Sequence, residues 1–482
     1  MEEKLNTNYE HLTRIIENDS DPRCALDPIT KLTKYHTSYE LNLGLLQFSS
    51  STANAVSEFS FMRLESNFPK LDTNLSTKIR VGLKNIFHLE EDVRVILTRS
   101  GTDAELILLG LLNTQGTINR ITNIISSISE IGSGIKHAAQ AGNFHDAFNE
   151  SLTGSIEKIS GFENILFKLV EIPLRDQLGI PLDESIVDEM ALKQILLDIE
   201  LGNHVILHIT ECSKTGLSGP SIPLALSLIK KYPTQITVVV DSCQLRTSFK
   251  QLKFYLNMGF IVILTGSKFF GAPPFCGAIL LPNSVQIQEN LPLGLSNFSS
   301  KDDWPSSLQS ITKNLNSVSD LGLYARWKIA LGNIYEFARI KEDDIYELTT
   351  RFLDYLQLLN FQYLKIWVES QHKKNSWGGR GPLANTIANI ELILPQHFTA
   401  DMVYKEVKKL HYLLTIDCTY FDFSEDTLNK NLSEKYLFGQ PVKLSDSPIP
   451  RYVLRISLSA EDYIRFAQSK DEYSSNILTK IQ

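Results

Sequence analysis

Three short runs of this 482-residue chain carry residue types whose chemistry could converge. Ser100-Gly101-Thr102-Asp103-Ala104-Glu105 stands between a β-branched run and an apolar helical one. Gly101 permits a tight turn, and the amides that open the following helix face one point with the helix dipole behind them, which makes a phosphate cradle. Thr102 with Glu105 is equally the pattern of a plain capping box. Asp241 closes the run Thr237-Val238-Val239-Val240. A carboxylate just past the C-terminal edge of a parallel strand lies where ligands bind in open α/β sheets. There it could hold a ring nitrogen protonated, with Gln244 three residues on donating to a ring oxygen; the alternative is an ordinary helix N-cap. The third run is Thr265-Gly266-Ser267-Lys268-Phe269-Phe270-Gly271. Among such neighbours the Lys268 amine is desolvated, which favours the neutral, nucleophilic form that makes an imine. Thr265 and Ser267 offer hydroxyls to a phosphate, and Pro273-Pro274 turns the chain afterwards.

These residues need a scaffold that brings them to one edge. From Asp92 onward short β-branched runs alternate with helical stretches. Val93 to Thr98, Val205 to Ile209, Ile236 to Val240, Phe260 to Thr265 and Ala278 to Leu281 read as strands. Ala104 to Leu112, Leu224 to Lys231 and Leu252 to Met258 read as helices. That alternation predicts parallel βαβ units covered on both faces. Residues 118–146, rich in Ser, Gly and Ile, have no clear period. Leu308 to Phe361 is mostly helical, with Leu321, Tyr324, Trp327, Ile334 and Phe337 on one face. Thr386 to Leu394, Tyr412 to Cys418 and Tyr452 to Leu458 read as strands, with helices near Asp401 to Leu410 and Glu461 to Gln468. The expected organisation is an N-terminal arm over 1–80, a large α/β domain with a mainly parallel sheet over 81–310, and an interdomain helix with a small α+β domain over 311–482.

Asp241-Ser242-Cys243-Gln244 followed by Lys268-Phe269-Phe270-Gly271, with Gly101-Thr102 upstream, resembles fold type I pyridoxal-phosphate enzymes, in their class V aminotransferase branch. The resemblance covers about Val93 to Leu281 and one C-terminal site. It implies pyridoxal 5′-phosphate as cofactor, with Lys268 as its Schiff-base lysine, Asp241 at the ring nitrogen, Gln244 at O3′, and Gly101 and Thr102 at the phosphate; Ser100, in the same turn, and Thr265 and Ser267, by their hydroxyls, are taken as cofactor-binding with them. It implies an arginine for the substrate α-carboxylate on a C-terminal strand, which Arg455 in Val453-Leu454-Arg455-Ile456 matches; a guanidinium fork binds a carboxylate bidentately, and an exposed edge-strand arginine is the other reading. Lys214 is the rival lysine, disfavoured because it precedes the aspartate. Glu211 and Ser213 could line the ring edge. His137 and His145 are candidates to stack on the ring, and Arg380, in the glycine-rich loop Lys373 to Pro382, is a candidate substrate contact. The resemblance also implies a homodimer, with the N-terminal arm on the second subunit. Without a Ser-Gly-Ser-Ala-Cys-like loop, cysteine desulfurase is disfavoured.

Composition bounds the rest. A net charge of −8 with no basic stripe argues against nucleic-acid binding. The start Met1-Glu2-Glu3-Lys4 lacks a signal-peptide layout, no apolar run approaches a membrane span, and five scattered cysteines suggest neither disulfide framework nor metal site, so a cytoplasmic protein is expected. The expected substrate is a small amino-acid-like molecule and the expected reaction is transamination, because a carboxylate held near the ring plane leaves the Cα–H bond to break. A lyase or decarboxylase is the alternative, and a non-catalytic binding module on the same scaffold is another.

Overall fold

The computed structural model describes residues 74–113, 118–132, 134–144, 156–285, 287, 290–369, 383, 386–393, 398–419, 433–445 and 450–470, with 10, 15, 23, 25–28 and 45–47. The strands are β1 Leu45–Gln47, β2 Arg94–Thr98, β3 Arg120–Ser126, β4 Leu166–Ile172, β5 His204–Thr210, β6 Ile236–Ser242, β7 Ile261–Thr265 and β8 Gly277–Leu281. They are followed by β9 Leu364–Val368, β10 Ile387–Leu392, β11 Lys435–Leu437, β12 Gly439–Ser445 and β13 Arg451–Ser457. The helices are α1 Leu75–Ile86, α2 Gly101–Asn113, α3 Ile135–Ala138, α4 Glu184–Glu200, α5 Ile222–Lys231 and α6 Phe249–Asn257. Beyond them lie α7 Leu321–Phe337, α8 Glu342–Leu358, α9 Ala400–Leu413 and α10 Ala460–Gln468.

Seven strands form the large sheet in the order β2-β8-β7-β6-β5-β3-β4. β3 through β7 run parallel, and β8 is antiparallel to both its neighbours. The central strands are apolar throughout because both faces are covered. Alternation along them sends Val205, Leu207, Val238, Val240, Val262 and Leu264 to one face, packed with α1 and α7. Ile206, Val239, Ile261 and Ile263 go to the other, beneath α2. A second sheet, β12-β13-β10-β9, is antiparallel, and a short parallel pair joins β1 to β11. This is an α/β protein with a mainly parallel large sheet and a smaller sheet flanked by helices, as the resemblance implies.

Caps fix several helix starts: the Ser221 and Ser248 hydroxyls accept from Leu224 and Gln251 amides at 3.1 and 3.2 Å. Ser459 and Asp462 form a capping box before α10. Three expectations differ from the structure. Residues 118–146 contain β3 and α3, and β4 and α4 follow, none of them read from the sequence. Tyr412 to Cys418 is not a strand: α9 runs to Leu413, then tightens as the Thr415 and Ile416 amides donate to the Tyr412 and Leu413 carbonyls at 2.9 and 3.3 Å. The boundary at residue 80 falls inside α1, whose Ile79 and Leu83 lie in the main core.

Candidate functional site

The site is built at the C-terminal rim of β5, β6 and β7. Asp241, near the end of β6, stands in register with Thr210 of β5 and Ile263 of β7. Its Oδ1 accepts the Cys243 amide at 3.0 Å, a local turn that fixes the carboxylate at the strand end. It is not a helix cap, since the next helix, α6, is capped by Ser248. β7 ends at Thr265, and the chain then folds tightly over Gly266 to Ala272. The Gly266 amide donates to Cys276 O at 2.8 Å, Ala272 N to Gly266 O at 3.1 Å and Gly271 N to Lys268 O at 3.0 Å. Behind this loop Phe269 and Phe270 pack edge-on against Phe337, with centroids 5.2 and 5.6 Å away. Lys268 is left on the other side of the loop, and Lys268 and Asp241 line the same cavity. Adjacent parallel strands delivered both groups to one edge.

The opposite wall opens α2. Ser100 caps that helix with Asp103: the Asp103 amide donates to Ser100 Oγ at 3.2 Å, and the Ser100 hydroxyl reaches Asp103 Oδ2. The cap is therefore Ser100 with Asp103, which leaves Thr102 and Glu105 facing the cavity. The wall is narrow enough to demand glycine. A Cβ on Gly101 would lie 2.4 Å from Cys243 Sγ, and Cβ atoms on Gly132 and Gly134 would lie 3.0 Å from the Thr102 side chain. Gln244 and Ser267 also line the cavity. Thr265 lines it too, but its hydroxyl donates to Cys243 O at 2.7 Å, so it ties the Asp241 turn to the end of β7 instead of offering a proton to a ligand.

Lys214 lines this cavity as well. It sits on the turn after β5, closed by Ser213 N to Leu217 O at 2.7 Å, with Gly216 at a φ of +99°. Its amide donates to Glu130 O at 2.8 Å, and the Ser213 hydroxyl donates to Glu130 Oε2 at 2.9 Å. Glu130 pairs with buried Arg175 at 2.6 Å, and Arg175 with Glu369 at 2.8 Å. Desolvation, then the Arg455 and Lys268 charges, pull the Lys214 ammonium down to about 7. Arg455, on β13, is fully buried and is not on the cavity wall. Its Nη1 reaches Lys214 O at 3.5 Å and its Nη2 donates to Gln440 O, so its fork is turned to backbone carbonyls behind Lys214.

Other expectations fall elsewhere. Ser213 and Glu211 are buried beside the cavity but do not line it; Ser213 serves Glu130, and Ser242 Oγ lies 3.5 Å from Glu211 Oε2. His137, on α3, does not line it either, while His145 and Arg380 lie outside the described residues. The rings on the wall are Phe144, His208 and Phe275. Sequence reasoning also missed Arg23, which spans the distance from the N-terminal arm to pair with Asp103 at 3.0 Å and lies 4.6 Å from the Phe275 ring centroid. No motif surrounds it to reveal that reach. Glu105 and Thr210, buried on the same cavity, hold oxygens without hydrogen-bond partners among the described residues; His208 Nε2 approaches Glu105 Oε1 at 3.4 Å.

Buried polar atoms left open and a cradle that a single Cβ would fill are what a bound polar ligand requires. An amine and a carboxylate at a strand end, facing a helix-opening turn across one cavity, fit pyridoxal phosphate. Among the described residues no cluster of three or more metal-ligating side chains occurs, and no helix is long and apolar enough to cross a membrane. Cys212, Cys243, Cys276 and Cys418 are free thiols.

No family model matches the chain, and no curated protein matches it. Solved structures do. A cysteine desulfurase from Escherichia coli is 13% identical, over 90% of this chain and 95% of that one, with a TM-score of 0.49. A tryptophan decarboxylase from Catharanthus roseus is 12% identical over 85% and 75%, with a TM-score of 0.44. A 4-hydroxyphenylacetaldehyde synthase from Rhodiola rosea is 12% identical over 84% and 76%, with a TM-score of 0.45.

Proposed function

We propose that this chain is a pyridoxal-phosphate enzyme acting on an amino acid or related amine, and that its reaction is transamination. The observation that carries the reading is the emergence of Lys268 and Asp241 from adjacent strands onto one cavity whose facing wall is the Gly101-Thr102 turn. Bound there, the cofactor would supply an electron sink for breaking a bond at the substrate Cα. Lys268 is the amine that would hold the cofactor, and as a free amine it would be the base placed to take a Cα proton. Asp241 would meet the ring nitrogen and hold a proton there, its own orientation fixed by the Cys243 amide. Ser100, Gly101, Thr102 and Ser267 would hold the phosphate, with the α2 dipole behind them. Gln244, buried on the same cavity as Asp241, would meet the ring hydroxyl oxygen.

A lyase or decarboxylase remains the second reading, and one observation favours it. Arg455 turns its fork to backbone carbonyls behind Lys214 and does not line the cavity, so the carboxylate contact that favours transamination would have to come from another group. Borohydride reduction in the presence of pyridoxal phosphate, followed by peptide mapping, tests the assignment. A pyridoxyl adduct on Lys268 is expected, and Lys268→Ala should lose both the adduct and turnover, the latter by about 10²–10⁴-fold. An adduct on Lys214, or none anywhere, overturns it, the latter pointing to a binding module. A single-turnover amino-acid panel then separates the reactions: keto acid with pyridoxamine phosphate marks transamination, carbon dioxide or ammonia the alternative.

A further inference from the structure

We propose that Lys214, and not Arg455, is the residue that meets the substrate carboxylate, with Arg455 and Glu130 acting behind it as positioning residues. This rests on the pyridoxal-phosphate reading of the same cavity. Among the described residues Lys214 Nζ has no hydrogen-bond or ion-pair partner, although it faces a cavity whose opposite wall is polar. Its backbone, by contrast, is fastened on both sides: the amide to Glu130 O, the carbonyl to Arg455 Nη1. The residues on either side, Ser213 and Thr215, both send their hydroxyls to Glu130 Oε2. A loop held this firmly, with its one long side chain left unpaired in a cavity, is preorganised for a ligand.

The surrounding charge specifies that ligand. Arg455 on β13 and Lys268 after β7 both repel the Lys214 ammonium, while Glu130 on the turn before α3 is the attracting group. Glu130 is already taken by Arg175, itself shared with Glu369 at the end of β9. The Lys214 side of the cavity thus holds excess positive charge that an anion would relieve. Asp241 and Glu105 stand on the cofactor side, so a carboxylate is repelled there and drawn to Lys214. An amino acid whose amine is directed to Lys268 places its carboxylate on the Lys214 side. Arg455, fully buried, keeps the Lys214 carbonyl in place and never touches the substrate.

Succinate, titrated into the protein with pyridoxal phosphate present, is the probe. Native affinity should fall about tenfold per pH unit above the Lys214 value of about 7, because the neutral amine no longer attracts the anion. Lys214→Arg should keep the affinity and flatten the pH profile, and Lys214→Met should lose about tenfold or more at the acid end. The borohydride adduct on Lys268 is mapped in the same three proteins. An adduct present with Lys214→Met binding succinate as the native protein does, on the same pH profile, overturns the proposal. Absence of the adduct from the native protein overturns the cofactor reading instead, whatever succinate does. Should Lys214→Met fail to fold, Lys214→Arg decides alone: a native-like fall in affinity with pH sinks the idea.

Discussion

Cys243 shows how tightly single residues are specified around Asp241. Its amide fixes the Asp241 carboxylate, its carbonyl accepts the Thr265 hydroxyl, and its sulfur occupies the space in front of Gly101. Burial, and then the Asp241 charge, push its thiol well above the ordinary cysteine value, so it packs as a small apolar group and is no nucleophile at neutral pH. Gly101 carries no left-handed backbone, and only the sulfur 2.4 Å from a would-be Cβ forbids a side chain there. Gly101→Ala should therefore cost about 1–3 kcal/mol of stability through overpacking. Adding Cys243→Ala should recover most of that loss, because the next atom, the Cys243 Cβ, lies 3.8 Å away. Urea unfolding of the two single variants and the double variant measures the coupling. Additive effects would show that the constraint at Gly101 lies elsewhere.

The loop that carries Lys268 is shaped from behind, by elements distant in the sequence. Phe270 O accepts from Asn333 of α7 at 2.7 Å, and Phe269 O accepts the Ala460 amide that opens α10 at 2.7 Å. A Cβ on Gly266 would meet Ala330 of α7 at 2.5 Å. Phe269→Ala should then cost about 3–5 kcal/mol in urea unfolding and lower the yield of the Lys268 adduct in protein that is still folded; an unchanged yield would mean the loop does not depend on this packing. These long-range supports also explain what the sequence hid. The motif around Lys268 and the strands before Asp241 and Lys268 were legible, because buried parallel strands are apolar runs with abrupt ends. β3 was not legible: its Thr122 and Asn123 are buried polar residues, paired with Asp198 and the Ala139 carbonyl at 2.9 and 2.6 Å, and they break the apolar run. α4 spreads its apolar residues around its circumference, with Ile186, Leu192 and Leu197 exposed, so no stripe announces it. Arg455 looked like an edge-strand residue or a substrate fork; only the register between β12, β13 and β10 reveals a buried side chain.

At the scale of the whole molecule, pH couples the cavity to stability. Burial lowers His204 to about 4, so the unfolded chain binds more protons between that value and 6.5, and stability rises with pH there. Burial, and then the Asp320 charge, raise Asp303 to about 7, so the folded chain binds more protons between 3.8 and that value, and stability falls with rising pH over nearly the same interval. The two oppose each other over that interval. Lys214 acts above them. Its folded value of about 7 lies below the ordinary 10.5, so the unfolded chain holds the extra proton and stability climbs as pH rises from about 7. Up to the ordinary cysteine value of 9.0, where buried Cys276 begins to pull the other way, that climb amounts to no more than about 2–3 kcal/mol. Urea unfolding at both ends of this window should show the rise in native protein and a flat profile in Lys214→Met. A rise that survives in Lys214→Met would assign it to another group. Carboxylate affinity runs the opposite way over the same interval, since binding wants the proton that folding expels. If one amine governs both, the stability gain and the affinity loss must share a midpoint, and Lys214→Arg, which stays charged, must abolish both.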